Sequence, residues 1–102
     1  MSTAFVKLID TEYISEFYSR SNTVETAIQM MENGCYRTVT FIECHDLIGQ
    51  DAAEEVFDLT NNPYRQKERE EHYGRRRSLS VGDIVQVDEV QYLCMPSGWT
   101  II

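Results

Sequence analysis

The sequence predicts an α+β fold: strand, helix, strand and helix, followed by a short polar helix and a C-terminal antiparallel β-meander. Three observations point there. Two segments in the first 62 residues each begin with a side-chain capping signature and carry apolar residues three and four positions apart. The segments around them are rich in β-branched and aromatic residues. From Leu79 onward, short strand-like runs alternate with turn residues such as Gly82-Asp83 and "MPSG".

Residues 3–10, "TAFVKLID", set Phe5, Val6, Leu8 and Ile9 among few polar residues and read as a first strand. "TEYISEFYSRS" has no clean period and reads either as a short helix or as an irregular edge. In "NTVETAIQMMENG" Asn22 is the N-cap, Glu25 completes a capping box and Asn33-Gly34 stops the helix. Its predicted buried stripe is Val24, Ala27, Ile28 and Met31. "YRTVTFIEC", residues 36–44, returns as a strand. In "GQDAAEEVFDLTNNP" Asp51 and Glu54 repeat the capping signature, with Ala53, Val56, Phe57 and Thr60 as the apolar face.

Pro63, capped by Asn62, starts a third helix that runs to Gly74. Being almost wholly polar, it is expected at the surface, held mainly by Tyr64, Tyr73 and weak charge pairs. "LSV", "IVQV", "VQYLC" and "WTII" are the remaining strands, the middle two meeting at Asp88-Glu89.

With 102 residues, the chain is expected to close one core and form a single domain over residues 1–102. Its net charge of -8 argues against general affinity for nucleic-acid phosphates, which depends on Lys and Arg displacing counterions. The charge is uneven. Residues 1–62 hold eleven acids against three bases, residues 63–77 six bases against three acids, and residues 78–102 three acids. No stretch has the length of a membrane span, and the N-terminus lacks the basic start and apolar run of a secretory signal, so the expected location is the cytoplasm. Three cysteines without paired motifs fit reduced thiols.

The segment "RSLSVGDIVQVDEVQYLCMPSGWTII", residues 77–102, resembles the C-terminal motif of the YodL-like small proteins of phages, plasmids and bacterial mobile elements. Ser78, Leu79, Ser80, Val81, Gly82, Asp83 and Val85 carry the resemblance, with Tyr92, Cys94, Gly98 and Trp99. "AAEEVFDLTNNP" followed by a basic stretch is also similar to that group. Two departures stand out: Asp88-Glu89-Val90 replaces the group's usual Asp-Gly and weakens the expectation of a tight type I′ turn, and the N-terminal half carries no match. The resemblance implies a cytoplasmic, non-enzymatic protein of a phage or mobile element and supplies no catalytic residues.

Several residues invite a chemical reading. Gly82-Asp83 reads as a structural turn in which Asp83 bonds to nearby amides. Ser78 and Ser80 lack a nucleophile elbow and a base. Cys44-His45-Asp46 has the residue types of a cysteine nucleophile with base and orienting acid, yet neighbours in sequence rarely reach triad geometry. Cys35, Cys44, His45, His72 and Cys94 lack metal-ligand spacing, so buried thiols are the better reading and neither a metal nor a cofactor is expected. Trp99 beside Gly98 is expected to close the core over the meander.

Arg75, Arg76 and Arg77 have two readings: a clamp for phosphates or an acidic partner, or an internal role, pairing with Glu68, Glu70 and Glu71 or balancing the acidic N-terminal half. The leading functional expectation is a protein that binds a host protein. Glu25, Glu32, Asp51, Glu54, Glu55 and Asp58 on two helices would form an acidic surface able to block a defence or nucleic-acid-processing complex. The alternative is a nucleic-acid-contacting accessory protein using Arg75, Arg76 and Arg77 with Lys67, Tyr64 and Tyr73. Pairing of the "WTII" edge with a second copy would give a homodimer.

Overall fold

Alternation in the first strand decides the layering. In a computed structural model describing residues 2–102, β1 (Thr3–Ile9) turns Ala4, Val6 and Leu8 to one side of a five-stranded antiparallel sheet and Ile9 to the other. The chain continues through α1 (Thr11–Ser19), α2 (Thr23–Glu32), β2 (Tyr36–Glu43) and α3 (Gly49–Asn61). A 3-10 turn at Pro63–Arg65 leads into α4 (Gln66–His72), then β3 (Ile84–Val87), β4 (Val90–Cys94) and β5 (Trp99–Ile101). Strand order is β2-β1-β3-β4-β5, so the first strand lies inside the sheet, between β2 and the C-terminal meander.

Each face has its own core. On one, α3 lays Ala52, Ala53, Val56 and Leu59 on Val6, Leu8, Val85, Val87 and Tyr92, with Tyr73 and Leu79 closing the side. On the other, α1 and α2 bring Phe17, Ala27 and Met30 to Ile9, Ile84 and Leu93. Helices on both faces give both sides of the sheet cover, which allows the largely apolar runs of β3 and β4.

The α+β expectation is met, and the differences are local. The undecided segment after Asp10 is a helix, anchored by Phe17. In α2 the Asn22 side chain accepts from the Glu25 N–H, as the cap predicts, but the buried residues are Thr26, Ala27 and Met30. Ile28 is exposed, and Val24 and Met31 only flank the contact, because the helix is rotated to set its small Ala27 flush against the sheet. α3 begins at Gly49, so Asp51 sits in its first turn instead of capping it, and Ala52 and Leu59 join the buried face.

"LSV" is not a strand: Leu79 is fully buried, yet the stretch belongs to a loop that ends at Asp83. Tyr64 is exposed and does not hold α4; Tyr73 does. Asp88 and Glu89 both take positive φ, 49° and 69°, and join β3 to β4 as the two central residues of a tight hairpin. That is the backbone of a type I′ turn, formed here without its usual glycine. Trp99 is half-buried, packs edge-on against Phe57 and donates its indole N–H to Glu54.

Candidate functional site

The loop from Arg75 to Asp83 is built around one buried ion pair. Asp83 is 1% exposed and accepts from Arg77 through both carboxylate oxygens, at 2.6 Å and 2.8 Å. The same carboxylate accepts the backbone N–H of Ile9 at 3.0 Å and of Ser80 at 2.8 Å, and Arg77 donates to the Ile9 carbonyl at 2.9 Å. The pair therefore ties the end of β1 to the start of β3. Hydrogen bonding to Asp83 raises the Arg77 pKa, keeping it charged despite partial burial. Tyr36 and Tyr18 donate to the carbonyls of Gly82 and Val81, so β2 and α1 also close on this loop. The internal partner of Arg77 is thus Asp83, and not Glu68, Glu70 or Glu71.

The other two arginines behave differently. The β1–β2 register passes from Val6↔Thr40 to Lys7↔Thr38, leaving Val39 as the extra residue of a β-bulge. Arg76 donates to the Val39 carbonyl at 2.8 Å and lies over the Tyr73 ring, 5.5 Å from its centroid. Arg69 sits over the same ring at 5.1 Å and donates to the carbonyls of Thr60, Gly74 and Arg76. Arg75 is exposed and makes no hydrogen bond or ion pair with the described residues.

The serines serve the same framework. Ser78 Oγ donates to the Thr60 carbonyl and accepts from Arg69, while Ser80 Oγ donates to the Ser78 carbonyl. Cys44 is buried with its Sγ near the carbonyls of Ile42 and Ala52, whereas His45 is exposed at φ 49°, so the two do not form a nucleophile and base. Cys35 and Cys94 are buried as well. Among the described residues, no three His, Cys, Asp or Glu side chains gather to hold a metal ion, and no helix is long and apolar enough to cross a membrane.

Burial raises the Cys44 thiol and pushes Cys94 up to about 12, with Asp83 and Glu54 adding to the latter. The Tyr73 hydroxyl is likewise pushed up to about 12 by burial. An acid with a raised folded pKa contributes stability that is complete below its unfolded pKa and is lost as pH rises toward its folded value. Stability is therefore expected to fall above about pH 9, by about 1.4 kcal/mol per pH unit for each unfolded-state thiolate that the fold holds protonated. Urea denaturation across this range should show the decline, and Cys94→Ala should flatten it. A flat profile for the unaltered chain would contradict burial of the thiols.

The six acids expected to form one surface do not lie together. Glu25 and Glu32 are on α2, whereas Asp51, Glu54, Glu55 and Asp58 are on α3, and the two helices cover opposite faces of the sheet. Glu54 is engaged by Trp99, and Glu55 and Asp58 are drawn to Arg65. Arg65 bonds Glu55 through two oxygens at 2.8 Å and 3.0 Å, Asp58 at 2.9 Å and Glu68 at 2.8 Å. These hydrogen bonds raise the Arg65 pKa and lower that of Glu68.

Beside this cluster runs a groove of about 460 Å³ between the end of β2, α3 and α4. Ile42 and Leu59 supply apolar lining, with Phe41, Glu43, Glu55, Glu68 and the two histidines, His45 and His72, around them. Arg65, Glu43 and Glu68 are the participants the sequence reading missed. Only the Arg65–Glu68 spacing of three along a helix could have been seen in advance.

No family model, curated protein or solved structure matches the chain.

Proposed function

We propose that the chain is a binding module of the kind its C-terminal half resembles, a small phage or mobile-element protein that engages a basic host protein. The observation that carries this reading is the carboxylate cluster around Arg65. One guanidinium holds Glu55, Asp58 and Glu68 in place, leaving that group two negative charges in excess beside an apolar-lined groove. Carboxylates fixed before a partner arrives lose little side-chain entropy on binding. An Arg or Lys of the partner would set its charged end against Glu43 and Glu68 at the mouth of the groove. In a defence or nucleic-acid-processing complex, these carboxylates would stand where phosphates otherwise bind.

The competing reading, a strand of nucleic acid gripped by Arg75, Arg76 and Arg77 with Tyr64 and Tyr73, draws less support. Tyr73 is 2% exposed beneath Arg69 and Arg76, so its ring is not offered to a base.

Two double variants separate the faces. Glu43→Gln with Glu68→Gln alters the groove, and Glu25→Gln with Glu32→Gln alters the opposite face by the same charge. Binding of a fluorescent Arg/Lys-rich peptide, and capture of a host protein at low salt, should weaken about tenfold or more in the first and little in the second. Equal losses in both would reduce the effect to net charge and defeat the assignment to the groove. Undiminished binding in the first would defeat it too.

A further inference from the structure

A second cavity, of about 400 Å³, lies beside the Val39 bulge and shares no residue with the acidic groove. Leu8, Ile9 and Val39 line it with Asp10, Thr11, Arg37, Arg76 and Arg77. Three of the nine Lys and Arg residues of an acidic chain thus line one hollow, brought there from β2 and from the loop before β3. We infer that this cavity is a binding site for the phosphate group of a small phosphorylated molecule, held by Arg37 and Arg76.

One of the two guanidinium groups is firmly placed before any ligand arrives. Arg76 is held by the Val39 carbonyl and the Tyr73 ring, and Arg37 by a single 3.1 Å contact from its Nε to Asp10. The Arg37 side chain is nevertheless 71% exposed, and neither terminal amino group has a partner among the described residues. Arg77 is the third member, committed to Asp83 and Ile9. Counting Asp10 and Asp83 against the three arginines, the lining and its paired carboxylate remain one unit positive.

At physiological salt the acids elsewhere on the chain are screened over about 8 Å, so the local sign governs a ligand at the cavity. A phosphate monoester carries about -1.5 to -2 charges at neutral pH and three acceptor oxygens, which suit forked guanidinium donors. A carboxylate has one charge and two acceptor oxygens, so it competes less well with Asp10 for the Arg37 guanidinium. The volume lies within the range of small-molecule pockets.

The test uses the full chain titrated with inorganic phosphate, adenosine monophosphate and a 5′-phosphorylated oligonucleotide, followed by ¹H–¹⁵N resonances of the arginine side chains and nearby amides. Saturable shifts are expected at Arg37, Arg76, Thr11 and Val39, with the nucleotide binding more tightly than phosphate. Arg37→Gln should weaken binding about tenfold with unchanged thermal stability, because it removes only a surface contact from the fold. Arg76→Lys should weaken it while retaining charge, and Arg75→Gln, the same charge change one residue away, should leave it intact. Shifts that do not saturate, or that respond equally to Arg37→Gln and Arg75→Gln, would overturn the site. Affinity that grows with oligonucleotide length would overturn the small-molecule assignment in favour of a nucleic-acid strand.

Discussion

Asp83→Ala is expected to destabilise the fold by about 3–5 kcal/mol, the usual cost of removing one partner from a buried, hydrogen-bonded ion pair. Three groups lose their acceptor together: the Arg77 guanidinium, the Ile9 N–H and the Ser80 N–H. Domains of this size have about 5–15 kcal/mol in total, so the variant should sit near the edge of folding, with its melting temperature lowered by roughly 12 °C or more. Replacing both partners, Asp83→Ala with Arg77→Met, should recover part of the loss because no uncompensated charge then remains in the interior. Thermal and urea denaturation of the two variants decide the matter. A loss under about 1 kcal/mol for Asp83→Ala would show that the pair is incidental to the fold.

Gly82→Ala carries the second large effect, about 2–4 kcal/mol, from two sources that add. The residue takes φ 96°, which an L side chain rarely adopts, and a Cβ there would lie 2.6 Å from Phe17 Cε1 and 2.7 Å from its Cζ. The ring cannot simply swing aside, since Phe17 is 3% exposed and belongs to the core between the N-terminal helices and the sheet. Phe17→Leu should remove the steric part while leaving the backbone part. The difference between Gly and Ala at position 82 should then shrink by about half in a double-mutant cycle. An unchanged difference would place the whole cost in the backbone.

The sequence was most informative where local chemistry decides the outcome. The Asn22 cap, the Asn62 cap before Pro63 and the hairpin strands all depend on neighbouring residues, and all were legible; that the chain after Pro63 makes a 3-10 turn before α4 was not. What could not be read depends on distant partners. Nothing near Val24 or Ile28 reveals that α2 presents Ala27 and Met30 to the sheet. Nothing in three consecutive arginines distinguishes the one that pairs with Asp83 from the one that caps a bulge in β2. The grouping of the candidate residues was hidden for the same reason: the acids share a sign but lie on opposite faces, and Arg37 reaches the cavity of Arg76 only through the sheet.

The interior position of β1 also bears on how the chain is made. Ala4 pairs with Val87, so one edge of β1 stays unsatisfied until about 80 further residues have been made. At about 5–20 residues per second that wait is on the order of ten seconds, long compared with helix formation. During it, β1 and β2 can associate as a hairpin, but the apolar residues of β1 lack the strand that completes their cover. Premature termination before β3 would therefore leave the apolar face of β1 uncovered and yield a sticky fragment in place of a smaller working domain.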